Sequence, residues 1–195
     1  MLQALVSGRV WHLVFVYSGL VLGVNALQSW GPQLLKALSR DYSNSMVGLL
    51  LTIPNLLGLA AMILVSRSSD RRLERRYHVA VPGIVAAAAL VLLGTTQSPF
   101  YSVTLLSFLA VGALSFFGPF WALPCEFLTG FSAAAGIALI NSVANLSQFV
   151  GPPIIGAIAL KTGNLYAGLA IAAVPLFLSA ALVLLLPKKA QPAKD

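Results

Sequence analysis

Acidic side chains are nearly missing from this sequence. Five Asp and Glu stand against twelve Lys and Arg among 195 residues, and charged residues make up only 9% of the chain. Soluble domains carry roughly a quarter, so a water-facing surface cannot be built from what is here. Cysteine is scarce as well: the single Cys125 excludes an internal disulfide, has no metal-ligand partner at useful spacing, and leaves the compartment open. The motifs of enzyme chemistry are missing too. There is no P-loop GxxxxGK, no HExxH and no CxxC, and Glu126, His12, Cys125 and the scattered serines form no nucleophile and base pair readable from spacing. No enzyme activity, no ATP-driven step and no cofactor is expected. The net charge of +7 carries no aromatic-interleaved basic face, which argues against a nucleic-acid partner.

What is present is apolar sequence: 58% hydrophobic residues and a mean hydropathy of +0.90. A membrane helix needs about 20 mainly apolar residues to cross ~30 Å of hydrocarbon. Runs of that kind cover 10–35, 45–65, 79–97, 99–124, 131–159 and 164–187. The separators KALSRDYSNS, RSSDRRLERRYH, TTQSPF, CEFLTG and KTGN carry the turn and charge signals of loops. This predicts an integral membrane protein of the all-α class, a single six-span bundle over 1–195 with a cytoplasmic loop at 66–78 and a cytoplasmic tail at 188–195. MLQALVSGR followed by VWHLVFVYSGLVLGV has the charge-then-apolar order of a leader. The apolar stretch continues past Trp30 without a small-x-small cleavage site, so it reads as a retained first span.

An even number of spans puts both termini on one side. That side holds Arg9, Arg67, Arg71, Arg72, Arg75, Arg76, Lys188, Lys189 and Lys194, and the other holds Lys36, Arg40 and Lys161. The positive-inside rule therefore places both ends and the arginine-rich loop in the cytoplasm. The spans divide into two sets of three, 1–97 and 98–195. An odd-numbered set must enter the membrane opposite to the one before it, the arithmetic of the inverted repeats of secondary transporters.

Polar side chains at span depth should face protein or a water-filled cavity, because an unpaired amide in hydrocarbon costs several kcal/mol. Asn141, Asn145 and Gln148 in NSVANLSQFVGPP stand at i, i+4 and i+7 on one helical face, with Val143, Leu146 and Val150 opposite. They can tie helices together or line a cavity. Three aligned amides exceed what one helix contact requires. Asn25 and Gln28 form a second pair on one face of the first span, followed by SWGP, where Pro32 is expected to end regular helix. Asn55 follows Pro54 and is expected to satisfy the carbonyl that the proline frees. In FFGPFWALPCEF of the fourth span, Gly118, Pro119 and Pro124 can interrupt the helix, and Trp121 can stack on a substrate or fill the core. Pro152 and Pro153 are expected to loosen the fifth. Glu126 and His12 read as interfacial rather than as proton carriers.

SDRRLERRYHVAVP after the second span, GPFWALPCEFLTGFSAAAGIALINSVANLSQFVGPPIIG across the fourth and fifth, and VNALQSWGPQLLKAL in the first together resemble the C-terminal half of a major facilitator superfamily transporter. The similarity is to the anion:cation symporter branch, bacterial permeases for organic acids. It implies half of a twelve-helix fold, two inverted three-helix repeats, in a multi-pass protein of the bacterial inner membrane. It further implies alternating access for a small organic anion such as a sugar acid or dicarboxylate, coupled to protons or another cation. Substrate contacts are then expected from Asn25, Gln28, Trp121, Asn141, Asn145 and Gln148. The branch signature G-x-x-x-D-R-x-G-x-R-R is matched at Asp70, Arg71, Arg75 and Arg76, implied to brace a cytoplasmic gate, while Ser66 and Leu73 replace its glycines. The partners implied are the organic anion, the lipid bilayer, and a missing N-terminal six-span half or a second copy. A self-sufficient homodimeric transporter and a non-transporting scaffold or regulatory protein remain as alternatives.

Overall fold

The computed structural model describes residues 7–38, 42–95 and 98–187. It holds seven helices: α1 (Gly8–Leu38), α2 (Asn44–Arg72), α3 (Arg76–Leu93), α4 (Pro99–Ser115), α5 (Phe117–Cys125), α6 (Gly130–Thr162) and α7 (Leu165–Leu184). α4 and α5 make one span interrupted at Phe116, so six helical segments are long and apolar enough to cross a membrane. No strand occurs among the described residues. The tail 188–195, Arg40 and the end of the third span at 96–97 lie outside them.

Local chemistry sets the helix ends. The Ser43 hydroxyl accepts the Met46 N–H at 3.2 Å to start α2, and the Asn164 side chain accepts the Tyr166 N–H at 2.9 Å to start α7. Pro99 opens α4, where a missing N–H costs nothing. Gly163 closes α6 at φ +64°, a left-handed backbone that glycine adopts freely.

Several expected boundaries are corrected. α2 runs to Arg72 rather than ending near 65, and the loop expected over 66–78 shrinks to the turn between Arg72 and Arg76. With 29 residues, α2 is about 44 Å long against ~30 Å of hydrocarbon. Its last turns therefore carry Ser and Arg outside the apolar layer while backbone bonding continues. Pro32 does not end α1, and Pro152 with Pro153 do not break α6. Proline removes a single N–H, and neighbouring helices can hold the rest of the ladder in place. The fourth span does break, at Phe116, three residues before Pro119. Pro119 cannot supply the N–H that would otherwise bond the Ser115 carbonyl.

The helix pairing has an internal symmetry. α1 packs on α6, α7 and α4, α4 packs on α2, α3 and α1, and α3 packs on α7. Exchanging span one with four, two with five and three with six turns α1·α6 into α4·α2 and α1·α7 into α4·α3, and maps α1·α4 and α3·α7 onto themselves. One pair departs from it, since α6 and α7 pack along each other while α2 and α3 barely touch. The same exchange relates two close approaches. A Cβ on Gly19 of α1 would collide with the Pro175 carbonyl of α7, and one on Gly112 of α4 with the Pro82 carbonyl of α3. Two three-helix units of opposite sense thus build an all-α half-fold.

The core runs along α1 and α4, with Leu13, Leu20, Leu106, Leu109, Phe116 and Phe120 fully buried. α2 and α6, exchanged by the symmetry, lie outermost. Only 17% and 11% of their apolar windows are buried within the bundle, against 44% to 67% for the other spans.

Candidate functional site

Four of the six expected contact residues form one hydrogen-bonded chain between α1 and α6. Ser29 Oγ donates to Asn25 Oδ1 at 3.3 Å, and Asn25 Nδ2 donates across the helix interface to Gln148 Oε1 at 3.5 Å. Gln148 Nε2 donates to Asn145 Oδ1, and Asn145 Nδ2 donates to both the backbone and side-chain oxygens of Asn141 at 2.7 and 2.8 Å. Nearby, Ser147 Oγ crosses the same interface to the Ser18 carbonyl at 3.1 Å. Asn25, Asn145 and Gln148 are half-buried and Asn141 is exposed. Helical spacing explains their placement: Ile140, Ala144 and Ile155 form the buried face of α6, and the amide row falls on one flank of that face. The row lies near the middle of a 33-residue helix, where hydrocarbon would leave an open amide unsatisfied.

Gln28 stays outside this chain. It is exposed, and its carboxamide has no partner among the described residues. Trp121 sits in an aromatic group on α1 and α5, 4.9 Å edge-to-face from Tyr17 and 5.3 Å from Phe120, with Tyr17 stacked on Phe120 at 4.7 Å. It is half-buried, so it packs in this group and keeps one side open. Asn55 Nδ2 bonds the Leu51 carbonyl at 2.8 Å, one residue beyond the carbonyl that Pro54 frees. The expected proline repair is therefore not made. Spacing alone could not reveal Ser29, Ser18, Ser147 or Tyr17 as members of the polar and aromatic groups, because each depends on which face of α1 meets α5 and α6.

A cavity lies elsewhere, between α2 and α4. It measures about 780 Å³ and is lined mainly by apolar side chains such as Leu50, Ile53, Leu57, Val103 and Phe108. None of the expected contact residues lines it. Its few polar groups offer no orientation to a charged solute, and the chemistry favours the amide chain as the candidate site.

The arginine-rich turn is tightly built. Arg75 Nη1 meets Asp70 Oδ1 at 2.5 Å and Ser69 Oγ at 3.0 Å, while Ser69 Oγ donates to the Glu74 carbonyl at 2.8 Å. Arg76 Nη1 reaches the end of the last span, bonding the Leu184 carbonyl at 3.2 Å and the Leu186 carbonyl at 2.5 Å. Arg71 is exposed without a side-chain partner among the described residues. The turn survives the loss of both signature glycines. Leu73 adopts the left-handed conformation itself, at φ +50°, and Ser66 packs onto the bare backbone of Gly118, where a Cβ would strike its hydroxyl. His12 Nε2 bonds the Leu182 carbonyl at 2.7 Å, and Glu126 is exposed at the end of α5, both outside the amide chain.

Six helices long and apolar enough to cross a membrane, paired as an inverted repeat, match the layout of many secondary transporters. The Major Facilitator Superfamily profile matches residues 32–195. A putative tartrate transporter of Agrobacterium vitis is 38% identical over 187 residues, which is 96% of this chain and 41% of that protein. A quinolone resistance transporter of Acinetobacter baumannii is 39% identical over 168 residues, 86% of this chain and 38% of that protein. A putative metabolite transport protein, NicT, of Pseudomonas putida is 34% identical over 183 residues, 93% of this chain and 41% of that protein. The chain belongs to the major facilitator superfamily, a family of multi-pass membrane transporters rather than enzymes, and the organic-acid branch fits these relatives. It spans about two fifths of the length of the curated relatives it matches.

Proposed function

We propose that this chain forms the C-terminal six-span half of a bacterial inner-membrane secondary transporter for a small organic anion, a sugar acid or dicarboxylate such as tartrate. Both termini lie in the cytoplasm, as the arginine and lysine distribution favours. Transport proceeds by proton- or cation-coupled alternating access, this half rocking against a second six-span unit. Asn25, Gln28, Asn141, Asn145, Gln148 and Trp121 face the path, and the Asp70–Arg75 pair with Arg76 and Arg71 braces its cytoplasmic end. The observation that carries this reading is the amide chain from Asn25 to Asn141, half open on one flank of α6 at mid-span. A lipid-facing flank has no use for it, whereas a wall of an aqueous path does. The tartrate name of the Agrobacterium relatives supplies the substrate class.

The test is tartrate counterflow in proteoliposomes, with this chain alone and with it co-expressed beside the N-terminal six spans of an Agrobacterium relative. Uptake that needs the second half and falls when Gln148 is replaced by Ala supports the reading. Uptake by the chain alone, with a dimeric crosslink, supports the homodimer instead. No uptake in either form, with Gln148→Ala altering only the proteins that copurify, supports a scaffold.

A further inference from the structure

We propose that Thr52 and Asn55 of α2 form a second set of substrate contacts, on another wall of the path, and that they read the hydroxyl groups of a hydroxy acid. This rests on the reading of the amide flank of α6 as one wall of that path. The i, i+4, i+7 spacing of Asn141, Asn145 and Gln148 recurs on α2 as Gly48, Thr52 and Asn55, all exposed. Each row opens directly after a buried residue, Ile140 in α6 and Val47 in α2, so both lie on the same flank of their helix relative to its packed face. Each is bonded internally at the same step. Asn145 Nδ2 donates to the Asn141 carbonyl at 2.7 Å, and Thr52 Oγ1 donates to the Gly48 carbonyl at 3.0 Å. The repeat exchanges α6 with α2 and maps the α1·α4 and α3·α7 pairs onto themselves, so its axis runs between the members of those pairs. A rotation leaves its own axis in place. A path that lies on this axis and borders the polar flank of α6 therefore borders that of α2 as well. The other flank of α2 differs in kind, since Leu50, Ile53 and Leu57 line the apolar cavity.

The two rows differ in what they leave open. Gln148 is tied across the helix interface to Asn25, whereas no described residue ties Asn55 to another helix. Asn55 spends one N–H on the Leu51 carbonyl, at 2.8 Å. Its second N–H and its oxygen have no partner among the described residues, and hydrocarbon would leave both unsatisfied. Thr52 has given its only hydrogen to Gly48, so its oxygen remains as an acceptor. One turn of helix thus presents a donor and acceptors side by side. A hydroxyl group donates and accepts at once, and complements both residues. A carboxylate only accepts, and meets two oxygens beside the single N–H. A methylene group answers neither residue. The α2 row is accordingly matched to the hydroxylated carbons of a hydroxy acid, and a deoxy acid of the same length and charge is the analogue it rejects.

The test is competition against labelled L-tartrate in proteoliposome counterflow, using this chain co-expressed with the N-terminal six spans of an Agrobacterium relative. The competitors are unlabelled L-tartrate and succinate, which has the same carbon chain and both carboxylates but no hydroxyls. The readout is the ratio of their half-inhibitory concentrations, which a loss of folded protein does not move. The wild type should favour tartrate. Thr52→Val combined with Asn55→Leu removes the polar row and should lower that preference about tenfold, while Thr52→Ser, which keeps the hydroxyl, should retain it. Where the double variant does not transport, Thr52→Cys and Asn55→Cys in a Cys125→Ser background supply a second measurement. A charged methanethiosulfonate should label both, and tartrate should slow that labelling more than succinate does. An unchanged ratio in the double variant overturns the α2 contacts and leaves the path standing. So does a failure of both cysteines to label in the assembled halves, as lipid or the second half covering this flank would give. No counterflow by the wild type removes the path, and these contacts with it.

Discussion

Replacing Gly112 by Ala probes one of the tight helix approaches in the bundle. The added Cβ would lie 2.5 Å from the Pro82 carbonyl oxygen, 2.6 Å from the Ala86 nitrogen and 2.8 Å from the Ala86 Cβ. Comfortable contacts are about 3.5 to 4 Å, so α3 and α4 must part by about 1 Å. The obstructing atoms are backbone and a methyl group, and none can rotate away. Overpacking of this kind costs about 1–3 kcal/mol, partly offset by up to about 1 kcal/mol of helix propensity gained on replacing glycine. Gly48→Ala is the control: it lies in α2, where an added Cβ meets nothing within 4 Å, so only the propensity gain applies. The two variants should differ by about 2 kcal/mol, or roughly thirtyfold in the unfolding equilibrium. Reversible unfolding in mixed micelles, followed by the fluorescence of Trp11, Trp30 and Trp121, measures this. Gly19→Ala, its counterpart under the repeat, should behave like Gly112→Ala. A Gly112→Ala protein as stable as Gly48→Ala would refute the close packing of α3 on α4.

Leu73→Gly should stabilise the chain by about 1 kcal/mol in the same assay, because a left-handed backbone costs a residue with a Cβ about that much and the Leu73 side chain is 75% exposed, with little packing to lose. Arg76→Ala should destabilise it by about 1 kcal/mol and speed hydrogen exchange at the end of α7, since the Leu184 and Leu186 carbonyls lose their donor.

The parts of this fold written in local sequence were legible in advance. Twenty-residue apolar runs disclosed the six spans, and the 3.6-residue period put Asn141, Asn145 and Gln148 on one face. Effects that depend on three-dimensional neighbours were not legible. Pro32 looked like a helix end, and Pro152 with Pro153 like a loosening of the fifth span, yet α1 and α6 run through them. The repeat left no visible identity between the two halves of the sequence. It is carried by which helices pair, and by Gly19 with Pro175 and Gly112 with Pro82, residues at unlike positions in their runs. In the amide chain, the sequence placed Asn25 and Gln28 together, but the packing of α1 on α6 turns Asn25 into the interface and leaves Gln28 on the open side. Ser66 and Leu73 stand where the branch signature has glycines, and spacing does not show how the turn accommodates them. Ser66 is accommodated by Gly118, far away in the chain, and Leu73 holds the left-handed conformation itself.

The central claim is that one flank of α6 meets water at mid-membrane while the other meets lipid. In a Cys125→Ser background, single cysteines at Asn141 and Gln148 on the polar flank, and at Leu146 and Val150 on the apolar flank, can be labelled in membrane vesicles with a charged, water-soluble methanethiosulfonate. Thiols react as thiolates, which form only where water reaches, so positions 141 and 148 should label at least about tenfold faster than 146 and 150. Labelling of Leu146→Cys and Val150→Cys as fast as the polar pair, or no labelling at positions 141 and 148, would contradict the account.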